Sequence, residues 1–189
     1  MSVEIDNQIV TFKRIYSSVK DSDTGYQGHV YRNTSNGDLI VVHEGSIPLA
    51  SNLFSSNFME VYKDWFISNE DTLMGRINAQ YSEAEAFLDY VKDTVSLAYP
   101  GSKIIQLGQS LGGTECELVG ALDKNKNIET YTFNSFGAGH LIDDLEAMNK
   151  TISDDFSNII NFTYSNEIPT KINPHIGDVY FSSFHYNLQ

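Results

Sequence analysis

The chain has 189 residues, of which 41% are hydrophobic and 20% charged, enough for one globular domain with a buried core. Its formal net charge of −13 and isoelectric point near 4.6 argue against nucleic acid as a partner and against electrostatic binding to anionic lipid headgroups. The single cysteine, Cys116, excludes an internal disulfide and a cysteine-ligated zinc site.

The first predicted element is a β-hairpin. Residues 28–32 and 39–43 are short strand-like runs, and the segment between them is rich in turn-forming residues and contains Asn36-Gly37. An Asn-Gly pair between two such runs is typical of a tight hairpin turn.

A helix is predicted over residues 81–99. Its apolar residues recur at helical spacing, at Ala84, Phe87, Leu88, Val91, Val95 and Ala98. Ser82 and Glu85 fit a capping box at its start, and Pro100-Gly101 ends it.

Strands and helices alternate in the rest of the chain. We predict strands over residues 102–107, 128–134, 158–164 and 178–182 and helices over residues 111–122 and 141–148. Such alternation indicates one α/β domain over residues 1–189, with a mostly parallel central sheet, an N-terminal β-hairpin and helices on both faces. The chain ends abruptly after residues 187–189, which suggests a domain cut from a longer chain, with a further domain or partner protein C-terminal to it.

The most informative motif lies between the strand 102–107 and the helix 111–122. Gly108-Gln109-Ser110-Leu111-Gly112 fits the nucleophile-elbow pattern G-x-S-x-G, in which a serine on a sharp strand-to-helix turn needs small residues two positions to either side. The alternative is a glycine-rich packing turn with an incidental serine. We predict that Ser110 is a catalytic nucleophile.

A serine nucleophile needs a base and an orienting acid, which follow it in the chain order Ser, acid, His in the α/β-hydrolase arrangement. Glu167 comes directly after the strand 158–164, and His185 directly after the last strand. We predict these two as the acid and the base. Asp178 is the alternative acid and His175 the alternative base.

An oxyanion hole needs two donors aimed at the developing negative charge. The backbone N–H of Leu111, which follows the nucleophile, is the first candidate. The second is Ser46, which follows Gly45 in the turn after the strand 39–43. No metal or cofactor is required for this chemistry.

With these residues in place, the chain resembles the class 3 lipase family of α/β hydrolases over about residues 28–188. The segments that carry the resemblance are residues 31–33, Val41-Val42-His43-Glu44-Gly45-Ser46, Asp64-Trp65, the helix before the elbow, residues 105–113, Thr132-Phe133-Asn134-Ser135-Phe136-Gly137, Asn166-Glu167-Ile168-Pro169 and His185-Tyr186-Asn187-Leu188. The resemblance implies an α/β-hydrolase fold in which Ser110 is the nucleophile. It also implies that His185 is the base, Glu167 the acid, and Leu111 and Ser46 the oxyanion donors.

The chain departs from the family pattern at four positions. Gln109 replaces a histidine beside the nucleophile, Glu44 replaces an arginine and Phe136 a proline. Glu167 stands where the family has aspartate, so its carboxylate has one more methylene to accommodate. Either acid can serve in a triad.

The resemblance implies a carboxylic ester hydrolase acting on acyl esters of lipids, a lipase or phospholipase of the A1 type, with a lipid or membrane interface as substrate. An aromatic segment before the main helix, with Phe54, Phe58 and Trp65, is the predicted substrate-binding surface, and core packing is its alternative. Such domains also occur within bacterial secreted toxins. The other interpretations are a soluble small-ester or thioester hydrolase, and a non-catalytic lipase-like domain that binds lipid or protein.

The sequence contains no apolar window as long as a membrane span. Its N-terminus, Met-Ser-Val-Glu-Ile-Asp-Asn, lacks a basic region followed by an apolar stretch, so no signal peptide is predicted. We expect a cytoplasmic protein or one secreted by a non-classical route.

Overall fold

The structure, a computed structural model, describes residues 1–5, 7–18, 21, 23–44, 70–164 and 173–182. Its strands are β1 (Ser2–Ile5), β2 (Gln8–Ser17), β3 (Gly28–Asn33), β4 (Leu39–His43), β5 (Ile104–Gln109), β6 (Ile128–Phe133), β7 (Ile159–Tyr164) and β8 (Asp178–Ser182). Its α-helices are α1 (Glu70–Tyr90), α2 (Leu111–Gly120) and α3 (Ile142–Ala147). A π turn at Val91–Val95 and a 3-10 turn at Ser96–Ala98 follow α1, and a 3-10 turn at Gly139–Leu141 precedes α3.

The described strands form one sheet in which spatial order follows chain order from β1 to β8. Neighbours from β1 to β4 are antiparallel, and neighbours from β4 to β8 are parallel. The mostly parallel α/β architecture is therefore confirmed. So is the N-terminal hairpin, formed by β3 and β4 with Val30 opposite Val41.

Strands β1 and β2 are elements that the sequence patterns do not predict. The exposure of residues along β2 is mixed rather than alternating, so the period-two signal of a half-buried strand is weak. The two strands join near Asn7, a non-glycine residue at φ 59°, and extend the antiparallel end of the sheet.

Helix α1 begins earlier than the pattern predicts. It starts at Glu70, so Ser82 and Glu85 lie inside it and the predicted capping box is wrong. Glu85 instead accepts hydrogen bonds of 2.7 Å from Nζ of Lys150. The predicted end is confirmed, because the helical turns stop at Ala98, just before Pro100. None of the helices in the described ranges is long and apolar enough to cross a membrane.

The described helices pack on one face of the sheet, whereas the sequence predicts helices on both. Phe87 of α1 packs over Gly28 of β3, and Gly120 of α2 lies against Thr130 of β6. Helix α3 adds Leu145 to the same core. The reason is the strand order: each right-handed crossover advances in the same direction, so each places its helix on the same side.

Candidate active site

Ser110 lies on a sharp turn between β5, which ends at Gln109, and α2, which begins at Leu111. Its backbone has φ 55° and ψ −123°, a region that residues with a side chain rarely adopt. This is the strained strand-to-helix turn that the G-x-S-x-G pattern predicts. The residue is half-buried.

Three backbone hydrogen bonds hold the turn in place. The N–H of Ser110 donates to the carbonyl of Phe133 at the end of β6, at 3.1 Å. The carbonyl of Ser110 accepts from the N–H groups of Gly113 at 3.1 Å and Thr114 at 3.2 Å. The serine is therefore fixed at the carboxyl end of parallel strands, where sites in open α/β sheets form.

The glycines of the motif are required by space. A Cβ atom on Gly108 would lie 2.1 Å from the carbonyl oxygen of Gly112, and one on Gly112 would lie 2.3 Å from the carbonyl oxygen of His43. Both obstacles are backbone atoms, which cannot rotate away as a side chain can. Helix α2 can approach β4 and β5 this closely only without these side chains.

We expect Gly112→Ala to destabilise the protein by about 3 kcal/mol, the upper part of the range for overpacking. Gly101→Ala is the control. A Cβ added at Gly101 would have no atom within 4 Å, but the residue has a φ of +83°. Gly101→Ala should therefore lower the free energy of unfolding only by the cost of this backbone conformation, about 1–2 kcal/mol. Urea denaturation compares the two, and a smaller loss for Gly112→Ala than for Gly101→Ala would contradict the steric argument.

Leu111 is the first residue of α2, and its side chain is buried. The first N–H groups of a helix lack intrahelical acceptors, which suits the predicted role of its N–H as an oxyanion donor. The other predicted site residues lie outside the described residues: Ser46, Glu167 and His185, and the substrate-binding residues Phe54, Phe58 and Trp65. Their roles stay predictions.

His175, the alternative base, binds Glu117 and Ser135 rather than Ser110. Its side chain is 6% exposed, and its Nδ1 lies 2.8 Å from Oε1 of Glu117 and 3.2 Å from Oγ of Ser135. Its Nε2 is buried and has no hydrogen-bond partner among the described residues, which include Ser110. A general base must reach the proton that it abstracts, and His175 does not reach the Ser110 hydroxyl in this arrangement.

Asp178, the alternative acid, is also misplaced. It opens β8 and pairs across the sheet with Ile160, which is level with Tyr131 and Leu107 rather than with the end of β5. Three strand spacings, roughly 14 Å, separate it from β5. Asp178 therefore lies too far from Ser110 to orient its base.

Two other histidines have structural roles. Nδ1 of His43 is 2.9 Å from the hydroxyl of Tyr26, and burial lowers the pKa of His43 to about 4, so this side chain is neutral under the elbow at neutral pH. His29 bridges Oγ of Ser17 at 2.8 Å and Oε1 of Glu44 at 2.7 Å. Both side chains therefore serve to hold the strands of the hairpin and its neighbours together.

Two buried glutamates on α2 have no counterpart in the sequence prediction. The carboxylate of Glu117 accepts hydrogen bonds from the Ser135 hydroxyl, His175 Nδ1–H and the N–H groups of Ala138 and Ile176. It thereby joins the loop after β6 to the loop before β8. Glu115 points to the other side of the helix, and both of its oxygens are buried without a hydrogen-bond partner among the described residues. Every residue of α2 is buried, and no sequence pattern distinguishes these two glutamates from exposed ones.

No group of three or more His, Cys, Asp or Glu side chains in the described part of the chain is arranged to hold a metal ion.

Solved structures of fungal lipases resemble this chain over nearly its full length. Lipase II from Rhizopus niveus matches with a TM-score of 0.58 at 16% identity, covering 90% of this chain and 66% of the lipase. Lip2 lipase from Yarrowia lipolytica matches with a TM-score of 0.55 at 17% identity, covering 90% and 65%. Rhizomucor miehei lipase, in its propeptide complex, matches with a TM-score of 0.55 at 16% identity, covering 90% and 56%. The chain has the fold of the fungal lipases.

The fungal-lipase fold confirms the resemblance drawn from the motifs, and the chain spans 56 to 66% of the length of these lipases. No protein-family model matches the sequence, and no curated protein matches it. These matches lend no support to a bacterial toxin domain. At 16 to 17% identity they establish the fold, and the activity has to be argued from the site.

Proposed function

We propose that this chain is a serine hydrolase that cleaves carboxylic acyl esters of lipids, as a lipase or a phospholipase of the A1 type. One observation carries the proposal: Ser110 occupies the strained turn between β5 and α2, at φ 55° and ψ −123°, within a fungal-lipase fold. A strained conformation costs about 1–3 kcal/mol and persists where the surrounding structure enforces it, commonly at functional sites.

The proposed reaction proceeds in two halves. The Oγ of Ser110 attacks the ester carbonyl carbon while His185 takes its proton, and the oxyanion is stabilised by the N–H of Leu111 and by Ser46. The C–O bond to the alcohol breaks, and His185 returns the proton to the leaving oxygen. Water, deprotonated by the same histidine, then attacks the carbonyl carbon of the acyl-enzyme. The bond from that carbon to Oγ of Ser110 breaks, the histidine returns the proton to Oγ, and the fatty acid is released. Glu167 holds the histidine in the required tautomer.

A fluorophosphonate probe tests the nucleophile directly. We expect intact-mass spectrometry to show one adduct per chain and peptide mapping to place it on Ser110. Denatured protein is the control, because an unfolded serine is not activated. An adduct on another serine would contradict a catalytic Ser110, and the absence of any adduct would favour a non-catalytic lipid- or protein-binding domain.

A substrate panel tests the lipid specificity. We expect hydrolysis of dispersed phosphatidylcholine or triacylglycerol to exceed hydrolysis of p-nitrophenyl acetate at equal ester concentration. Activity on the soluble ester with none on either lipid would replace the proposal with a small-ester hydrolase. Thioester substrates in the same panel cover the remaining alternative.

A further inference from the structure

Four aromatic side chains form a stacked row across β6, β7 and β8, which we name the aromatic ladder: Tyr131, Phe133, Phe162 and Tyr180. The ring of Phe162 lies 5.5 Å from that of Phe133, 5.8 Å from that of Tyr180 and 6.5 Å from that of Tyr131, and all three pairs are stacked. Phe133 is 44% exposed, Phe162 40% and Tyr180 54%. The ladder is thus a continuous apolar surface in contact with solvent.

The ladder lies on the face of the sheet opposite the described helices. Side chains alternate between faces along a strand, and Thr132 and Asn161, the neighbours of the ladder residues, are buried on the helix side. A parallel sheet is ordinarily covered on both faces. Large exposed apolar patches mark surfaces that bind something.

The position of the ladder connects it to the elbow. Phe133 pairs with Gln109, the residue before the nucleophile, and its carbonyl accepts the N–H of Ser110. The apolar surface therefore begins one strand away from the nucleophile and extends from there to the β8 edge. A surface bound to the ladder would lie beside the proposed reacting centre.

The net charge of the chain restricts what can bind to the aromatic ladder. With a net charge of −13, two copies repel one another, and anionic lipid is repelled as well. Near the ladder, Glu129 accepts a hydrogen bond from the Tyr131 hydroxyl at 3.1 Å, and Asp178 opens β8 on the same face. Phenylalanine rings with tyrosine hydroxyls among them suit the boundary between acyl chains and headgroups without net charge.

We propose that the aromatic ladder is the surface through which this domain adsorbs to an uncharged or zwitterionic lipid interface. The proposal rests on the proposed function only in that the substrate is a lipid. Adsorption comes from burial of apolar rings rather than from charge, so added salt leaves it unchanged or strengthens it. Lipid adsorbed there would be presented next to Ser110.

The test is flotation with phosphatidylcholine vesicles in a Ser110→Ala background, which keeps the vesicles intact. We expect the double variant Phe162→Ser/Tyr180→Ser to raise the Kd for vesicles by about tenfold or more, since each ring loses most of its transfer free energy. Phe181→Ser is the matched control. Phe181 is 69% exposed and adjacent to Tyr180, but it points to the opposite face, so this change should alter the Kd less than about twofold. Circular dichroism verifies that each variant is folded.

Three results would overturn the inference. One is equal vesicle binding by the double variant and its parent, and another is an equal loss with Phe181→Ser. The third is a dimer in light scattering that the double variant dissociates, which would make the ladder an interface between copies. Fluorophosphonate labelling of Ser110 without vesicles reports separately on the proposed function. Labelling without ladder-dependent adsorption contradicts this inference alone, and adsorption without labelling contradicts the proposed function alone.

Discussion

Ser110→Ala is expected to lower kcat for ester hydrolysis by about 10⁴- to 10⁶-fold, because removal of a serine nucleophile removes the covalent path and leaves only binding and the oxyanion hole. The measurement is hydrolysis of the best substrate of the panel at saturating concentration. Ser102→Ala is the control: Ser102 lies before β5 and donates to the carbonyl of Gly37 at 2.7 Å, and its loss should leave kcat within about threefold. Residual activity above one per cent in Ser110→Ala would contradict the assignment.

Ser110→Gly separates the chemistry from the strain. Glycine adopts φ 55° without the steric cost that a Cβ imposes, so we expect Ser110→Gly to stabilise the protein by about 1–3 kcal/mol while it loses activity as Ser110→Ala does. Ser110→Ala keeps the Cβ, so its free energy of unfolding should rise little. Urea denaturation of the two variants isolates the strain, and equal free energies of unfolding would mean that the turn stores none.

The elbow was predictable because its signal is local. Two glycines at fixed spacing around Ser110 determine how closely strand and helix can approach, and Gly112 proves to contact the β4 backbone. The hairpin of β3 and β4 was predictable for a similar reason, since its turn residues and alternating strands are contiguous. In both cases the sequence that decides the structure is a few residues long.

The features that the sequence does not predict depend on distant partners. The Glu117 carboxylate accepts a hydrogen bond from the N–H of Ile176, 59 residues later. The residues next to either partner in the sequence give no indication of this contact. The position of the described helices on one face depends on strand order, and an alternation of strands and helices in the sequence does not determine that order. The start of α1 was missed because Ser82 and Glu85 mimic a cap inside a longer helix.

Glu117→Met is expected to destabilise the protein by about 3–5 kcal/mol. The methionine has similar volume but accepts no strong hydrogen bond, so the N–H groups of Ala138 and Ile176 would be buried without an acceptor. The His175 Nδ1–H would keep only the Oγ of Ser135, at 3.2 Å. Removal of one partner from buried polar groups costs this much. The loops after β6 and before β8 lose their common anchor. Urea denaturation followed by circular dichroism measures the loss.

Glu115→Met makes the same substitution two residues earlier on α2 and should have the opposite sign. Burial, with repulsion from Glu83, raises the pKa of Glu115 well above its usual value, so the folded protein keeps a proton there that the unfolded chain releases above roughly pH 4.3. Stability therefore falls as pH rises from that value through the folded pKa. Methionine removes this dependence, and we expect a gain of about 1–4 kcal/mol at pH 8 and a smaller one at pH 5. A lower free energy of unfolding for Glu115→Met at pH 8 would show that the Glu115 carboxyl has a hydrogen-bond or ionic partner, because removal of an unpaired buried carboxyl does not destabilise the fold.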